Sequence, residues 1–285
     1  MKKYTLLPLS LLIVAGLLLS GCHYQLVTGS GNVIEETVDL TGYTSVTLAG
    51  IGDVILTQAD FQPVRIEAED NLIPYFEVKV EGSTLVIGLK DEYLGVNLRP
   101  TRPVKFYVSL PEVEALTLAG SGNILAGDLQ TGDLRLSLLG SGNVTTGDLD
   151  SAALRLDLAG SGNIGLQTVQ ATDVNLSILG SGNVTLDSLT AAEISSTISG
   201  SGDVTLTAGQ VDDQQIEILG SGDYLAAGLE SQTTRVTVSG SGNSQIRVSD
   251  SLDVNILGSG DVRYYGQPAM DVNISGSGSV SQVSE

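Results

Sequence analysis

Leu134-Arg135-Leu136-Ser137-Leu138-Leu139-Gly140-Ser141-Gly142-Asn143-Val144 returns twenty residues later as Leu154-Arg155-Leu156-Asp157-Leu158-Ala159-Gly160-Ser161-Gly162-Asn163-Ile164. The Gly-Ser-Gly-Asn/Asp tetrapeptide begins at Gly120, Gly140, Gly160, Gly180, Gly200, Gly220, Gly240 and Gly258, with a worn copy at Gly276. Six intervals are 20 residues and the last two are 18. Earlier copies stand at Gly29 and, as Gly-Ile-Gly-Asp, at Gly50. A fixed period in this range marks a solenoid, in which one repeat is one coil and neighbouring coils bury each other.

Aligned on the motif, each repeat has three apolar columns. Before the motif, apolar residues alternate with polar ones: Leu134, Leu136 and Leu138 are separated by Arg135 and Ser137, and Val174, Leu176 and Ile178 by Asn175 and Ser177. Period two is the pattern of a strand with one buried face. After the motif come Ile124, Val144, Ile164, Val184 and Val204, and a third column holds Leu129, Leu149, Val169, Leu189 and Leu229. No segment has the 3.6-residue period of a helix. Three inward columns predict an all-β chain folded as a single-stranded parallel β-helix, right-handed and three-sided, with about 20 residues per coil.

The corner chemistry suits this fold. Glycine at the first and third motif positions permits positive φ, and Asn or Asp tolerates the left-handed region. With coils about 4.8 Å apart, Asn123, Asn143, Asn163, Asn183, Asp203, Asp223, Asn243 and Asp261 are expected to stack as a turn ladder, and Ser121 to Ser259 as a hydroxyl ladder. The residue before each motif alternates large and small, from Ala119, Leu139, Ala159 and Leu179 to Ser239, Leu257 and Ser275. Two readings fit that column: leucines packing over small neighbours at the corner, or a semi-apolar stripe for a partner.

The N-terminus has a different character. Lys2 and Lys3 precede an apolar stretch from Leu6 to Leu19, too short for a membrane span and of signal-peptide length. Leu19-Ser20-Gly21-Cys22 resembles the bacterial lipobox, and Cys22 is the only cysteine. That resemblance implies cleavage before Cys22, its lipidation, and a membrane anchor of several acyl chains. His23, where an Asp would mark inner-membrane retention, implies the outer membrane, with the leaflet unspecified. The expected organisation is a lipoprotein signal peptide at 1–21, a lipidated tether at 22–28, irregular coils at 29–119 and regular coils at 120–285. The formal charge of −20 becomes −22 without the leader, so nucleic acid and anionic lipid surfaces are poor partners.

Residues 29–119 keep strand patterning but lose the regular beat. Val46-Thr47-Leu48, Val54-Ile55-Leu56, Val64-Arg65-Ile66, Phe76 to Val80, Leu85-Val86-Ile87 and Val104 to Val108 read as strands, and Lys90 to Pro103 as an exposed loop. Together with Tyr43-Thr44-Ser45-Val46-Thr47-Leu48, Gly50-Ile51-Gly52-Asp53-Val54, Val64 to Leu72 and Val104 to Pro111, these segments resemble the "putative auto-transporter adhesin, head GIN domain" family. The resemblance implies a β-helix-like fold at the cell envelope and supplies no catalytic residues. A lipid anchor replaces the autotransporter barrel here.

Other chemistries find little support. His23, the only histidine, lies beside the anchor, so the repeats carry no imidazole base. The acidic pairs Asp128 with Asp133, Asp148 with Asp150, and Asp212 with Asp213 sit at turns, where Asp is a structural residue. Neutral Asn in most motif copies argues against calcium, and no Lys-Ser/Thr follows the glycines as in a phosphate loop. Arg135, Arg155 and Arg235 share an outward column, with Tyr264 and Tyr265 near the end; a solvated sheet face accounts for them without a ligand. The sequence therefore predicts a non-enzymatic envelope lipoprotein without cofactor or metal, acting as an adhesin-like scaffold for a protein, a glycan or another copy. A periplasmic structural or envelope-maintenance lipoprotein is the alternative, and a polysaccharide-processing β-helix enzyme a remote one.

Overall fold

The computed structural model describes residues 26–284; the leader, Cys22 and His23 lie outside the described residues. From residue 120 the chain winds as a solenoid of parallel strands, about 20 residues to a turn. A coil is typified by a short strand after the motif, Val144–Thr146, and a longer one, Leu149–Leu158, leading to the next motif. The longer strand's pairing with its neighbours skips Gly132, Ala152 and Thr172. Corners therefore fall at the motif, before residue 149 and at residue 152, which gives three sides.

Register is in phase through the 20-residue coils up to residue 226. Leu129 stacks on Leu149, then Val169 and Leu189; Leu138 stacks on Leu158, then Ile178 and Ile198. These side chains are buried and form one continuous apolar core. Because side chains alternate across a strand, a slip of one residue would turn every column outward, so the apolar pattern fixes the register. The core also takes in polar groups, most extensively around Tyr224. Tyr224 takes a place in the column of Val184 and Val204, and its hydroxyl accepts a hydrogen bond from Gln214 Nε2 at 2.7 Å. Thr234 donates to Gln214 Oε1, and its hydroxyl shares a further bond with Ser231.

The shorter period near the end is absorbed by two register shifts, with three residues lost and one regained. Between the pairs Ala226–Ile246 and Glu230–Arg247 the residues Ala227, Gly228 and Leu229 have no counterpart, and between Ser231–Val248 and Thr233–Ser251 the later coil has one residue more. The strands on either side keep their inward columns.

Residues 29–119 close the other end, and not by parallel coils alone. All six expected strands form, but Val33–Val38 pairs antiparallel with Val64–Glu69, which pairs antiparallel with Lys105–Leu110. Phe76–Glu81 pairs antiparallel with Thr84–Leu89. Segment 90–103, expected as an exposed loop, contains the strand Asn97–Arg99, which pairs in parallel with Leu26–Thr28 and buries Leu98. Residues 26–28 thus belong to the folded body and not to a free tether.

Candidate functional site

The motif column is built from close backbone approach. A Cβ on Gly142 would lie 1.6 Å from the carbonyl oxygen of Gly122, and one on Gly162 equally near that of Gly142. Positive φ, expected for these glycines, is not what they supply: of the motif copies only Gly31 and Gly52 have it, and among the described residues no non-glycine does. Along the regular corner the glycines let one coil's backbone lie directly on the next. The serines between them are exposed and make no hydroxyl ladder among the described residues; instead the Ser141 N–H donates to the Gly120 carbonyl at 3.1 Å.

The ladder residues connect chiefly through backbone. The N–H of Asn143 donates to Asn123 Oδ1 at 2.9 Å, that of Asn163 to Asn143 at 3.1 Å, and that of Asn183 to Asn163 at 3.0 Å. The same bond links Asp203 to Asn183, Asp223 to Asp203, Asn243 to Asp223 and Asp261 to Asn243. Side-chain amide bonds accompany it at Asn123, which donates to Asp53, and at Asn143, Asn163 and Asn243. The recurring requirement is an acceptor at Oδ1, which Asn and Asp both supply. This explains their interchange along the column.

At the N-terminal end the first motif copy is clasped by Glu69-Asp70-Asn71. Glu69 is fully buried, and its carboxylate accepts the Gly31 N–H at 2.6 Å, the Thr101 N–H at 2.8 Å and the Thr101 hydroxyl. Asp70 accepts from the Ser30 hydroxyl and from Asn32 Nδ2, while Asn71 Nδ2 donates to the Thr28 carbonyl. Burial acts to raise the Glu69 pKa, but the hydrogen bonds from Thr101, Gly31 and Arg102 outweigh it and hold the carboxyl below its ordinary range. Bonds from Asn32 and Ser30 do the same for Asp70.

Two grooves flank the corner at residue 152 and its equivalents. One, of about 810 Å³, runs across the later coils on a floor of Ala171, Ala191 and Val211, with Asp212, Glu230 and Arg247 in its walls. It lies where the period shortens. Gln232 donates to Asp212 at 2.6 Å, and Arg247 donates to the Ala227 carbonyl with its guanidinium 4.9 Å from the Tyr265 ring. The other groove, of about 910 Å³, is bordered by Glu114, Asp133, Arg135, Arg155 and Asn175. Arg135 and Arg155 both pair with Asp157, at 2.8 and 2.9 Å, and Arg235 pairs with Asp253 at 3.0 Å. The arginine column is thus bound into the sheet face. Tyr264 is buried.

In the column before the motif, Leu139, Leu179, Leu219 and Leu257 are 57, 65, 46 and 52% exposed. Among the described residues no cluster of three or more Asp, Glu, His or Cys is placed to hold a metal ion, and no helix is long and apolar enough to cross a membrane.

The profile of the family described as "Putative auto-transporter adhesin, head GIN domain" matches residues 42–208 and again 156–268. The chain belongs to this family. The two matches overlap within the regular coils, as expected where the repeats are near copies. No functionally curated protein matches the sequence. Among solved structures, a "putative adhesin" from Parabacteroides merdae is similar at 21% identity and a TM-score of 0.69, covering 91% of this chain and 100% of its own. A "putative adhesin" and a "putative lipid binding protein" from Parabacteroides distasonis are similar at 23 and 25% identity, with TM-scores of 0.66 and 0.67 and the same coverage. The low identity makes these likenesses of fold. Glu69 was missed as a key residue of this head GIN fold, because a charged residue at a strand end reads as surface. The signal present was the run Glu67-Ala68-Glu69-Asp70-Asn71, in which charged and polar residues displace the apolar alternation at the end of a strand.

Proposed function

We propose that this head GIN protein is an exported lipoprotein, cleaved before and lipidated on Cys22, that acts without catalysis as an adhesin-like rod at the outer membrane. The observation that carries the reading is the groove over Ala171, Ala191 and Val211. It offers a long trough crossed by several coils, with hydrogen-bonding walls at Asp212, Glu230 and Arg247 and an apolar floor. Such a trough suits an extended protein segment or a glycan. The net charge of −20 opposes polyanions. Membership of an adhesin-named family supports the same class.

A periplasmic structural lipoprotein is the second reading, favoured by the short link to the membrane. With Leu26–Thr28 in the fold, only residues 22–25 separate the proposed anchor from the body, at most about 14 Å of extended chain. Protease treatment of intact cells separates the two. The adhesin reading expects cleavage on intact cells and loss of the protein from the membrane fraction in Cys22→Ser. Full protection until the outer membrane is permeabilised overturns surface display and selects the periplasmic reading.

A further inference from the structure

Among the described residues, the coil containing Ala269–Ile274 leaves part of its core side uncovered. In the strand Ala269–Ile274, Met270, Val272 and Ile274 stack on Leu252, Val254 and Ile256. Those three are buried, yet Met270, Val272 and Ile274 are 42, 40 and 43% exposed, because among the described residues no strand stacks on them: the strand that follows, Val280–Gln282, stacks on Val262–Tyr265 instead. The outer edge of the strand also presents backbone N–H and C=O groups without a strand partner. An exposed edge is normally blunted by charge, proline or a bulge. Ala269–Ile274 has one charged residue, Asp271, and no proline or bulge in its pairing with the preceding strand. The opposite end is guarded: its outermost strands carry Glu35 and Glu36 in Val33–Val38, and Glu77, Lys79 and Glu81 in Phe76–Glu81.

We infer that the C-terminal coil is a docking surface for the C-terminal coil of a second copy, joined by antiparallel pairing of Ala269–Ile274 across a two-fold axis. A two-fold interface uses the same patch twice, so both partners supply an unguarded edge. Head-to-tail stacking would set this edge against the charged N-terminal strands. The inward positions must face the shared core from both copies, which restricts the register to those pairing apolar with apolar. Centring on Val272 places Val272 opposite its own copy, Met270 opposite Ile274 and Asp271 opposite Asn273. All three apolar positions are matched and no like charges meet. Centring on Asp271 sets the two aspartates against each other, and centring on Asn273 leaves Met270 opposite Gly276. The chain's net charge of −20 keeps the sides of two rods apart, which leaves the charge-poor end for self-association. The inference depends on the end of the solenoid and not on the groove or its ligand.

The test is the mass of the full chain in detergent, by sedimentation or native mass spectrometry over a range of concentrations. The parent is expected as a dimer, and Val272→Lys as a monomer with the parent's circular dichroism. Asn273→Asp places two pairs of like charges opposite each other and should weaken the dimer about tenfold. Adding Asp271→Lys to Asn273→Asp makes both pairs opposite in charge and should restore it, an outcome that lost folding cannot imitate. A parent that stays monomeric overturns the inference. So does a dimer unaffected by Val272→Lys, or one that ignores the two charge variants.

Discussion

At the scale of the residue, the corner is governed by what fits between two backbones. Ala at Gly162 would place a methyl 1.6 Å from the Gly142 carbonyl oxygen, with further backbone at 2.7 Å. Gly162→Ala is therefore expected to cost at least about 3 kcal/mol, read as a fall in the urea midpoint at unchanged slope. Gly132→Ala, where a Cβ meets nothing within 4 Å, should change stability by about 0.5 kcal/mol or less, or raise it slightly. Equal losses in the two variants would show that helical or strand propensity, and not contact, governs the glycines. The ladder makes a second prediction at this scale. Asn163→Ala removes the acceptor for the Asn183 N–H and should cost about 1 kcal/mol, while Asn163→Asp retains that acceptor and should cost less than half as much. If Asp proves as damaging as Ala, the amide donor and not Oδ1 is the needed group.

At the scale of the element, the N-terminal closure hangs on the buried Glu69 carboxylate. Its folded pKa lies below the ordinary value of 4.5, so as pH falls the unfolded chain takes up the proton first. The stabilisation is complete above that ordinary value and disappears as pH drops through the folded one. Asp70, also held low, acts in the same direction. Hydrogen exchange should therefore show the amides of Gly31 and Thr101 losing protection between about pH 5 and pH 2 ahead of Leu136 in the solenoid core. Protection lost in step everywhere would deny the clasp a separate role. This closure was also where the sequence was least legible. Strands such as Val64–Glu69 could be recognised from alternation, but alternation is silent on whether neighbours run parallel or antiparallel. The pairing of Leu26–Thr28 with Asn97–Arg99 joins segments some 70 residues apart with no repeat to connect them. In the regular coils the repeat itself says which residues stack, so the alignment of Leu138, Leu158 and Ile178 is legible from the sequence alone. The grooves were illegible because they arise at a corner, where strand patterning stops.

At the scale of the whole molecule, coils are added along one axis and touch only their neighbours. Residues 160–179 form one such coil, lying between Val144 and Val184, Leu149 and Leu189, and Leu158 and Ile198 in the stacked columns. Removing 160–179 should bring those pairs into direct contact and leave a shorter rod with the same β-type circular dichroism and a modest loss of stability, since one neighbour interface is lost. An unfolded or aggregated product would mean that the coils are not equivalent.

The clasp has a mechanical consequence once the proposed anchorage is considered. A rod held at Cys22 and pulled by whatever it grips transmits tension through the three residues Leu26–Thr28 before any coil is loaded. Parallel pairing with Asn97–Arg99, the Gly29 N–H on the Arg99 carbonyl and Asn71 on the Thr28 carbonyl lie together on that path. These bonds are loaded together, and the in-phase stack behind them is spared until they part. The first motif copy and its acidic partners would thus set the force at which the rod begins to unravel from its membrane end.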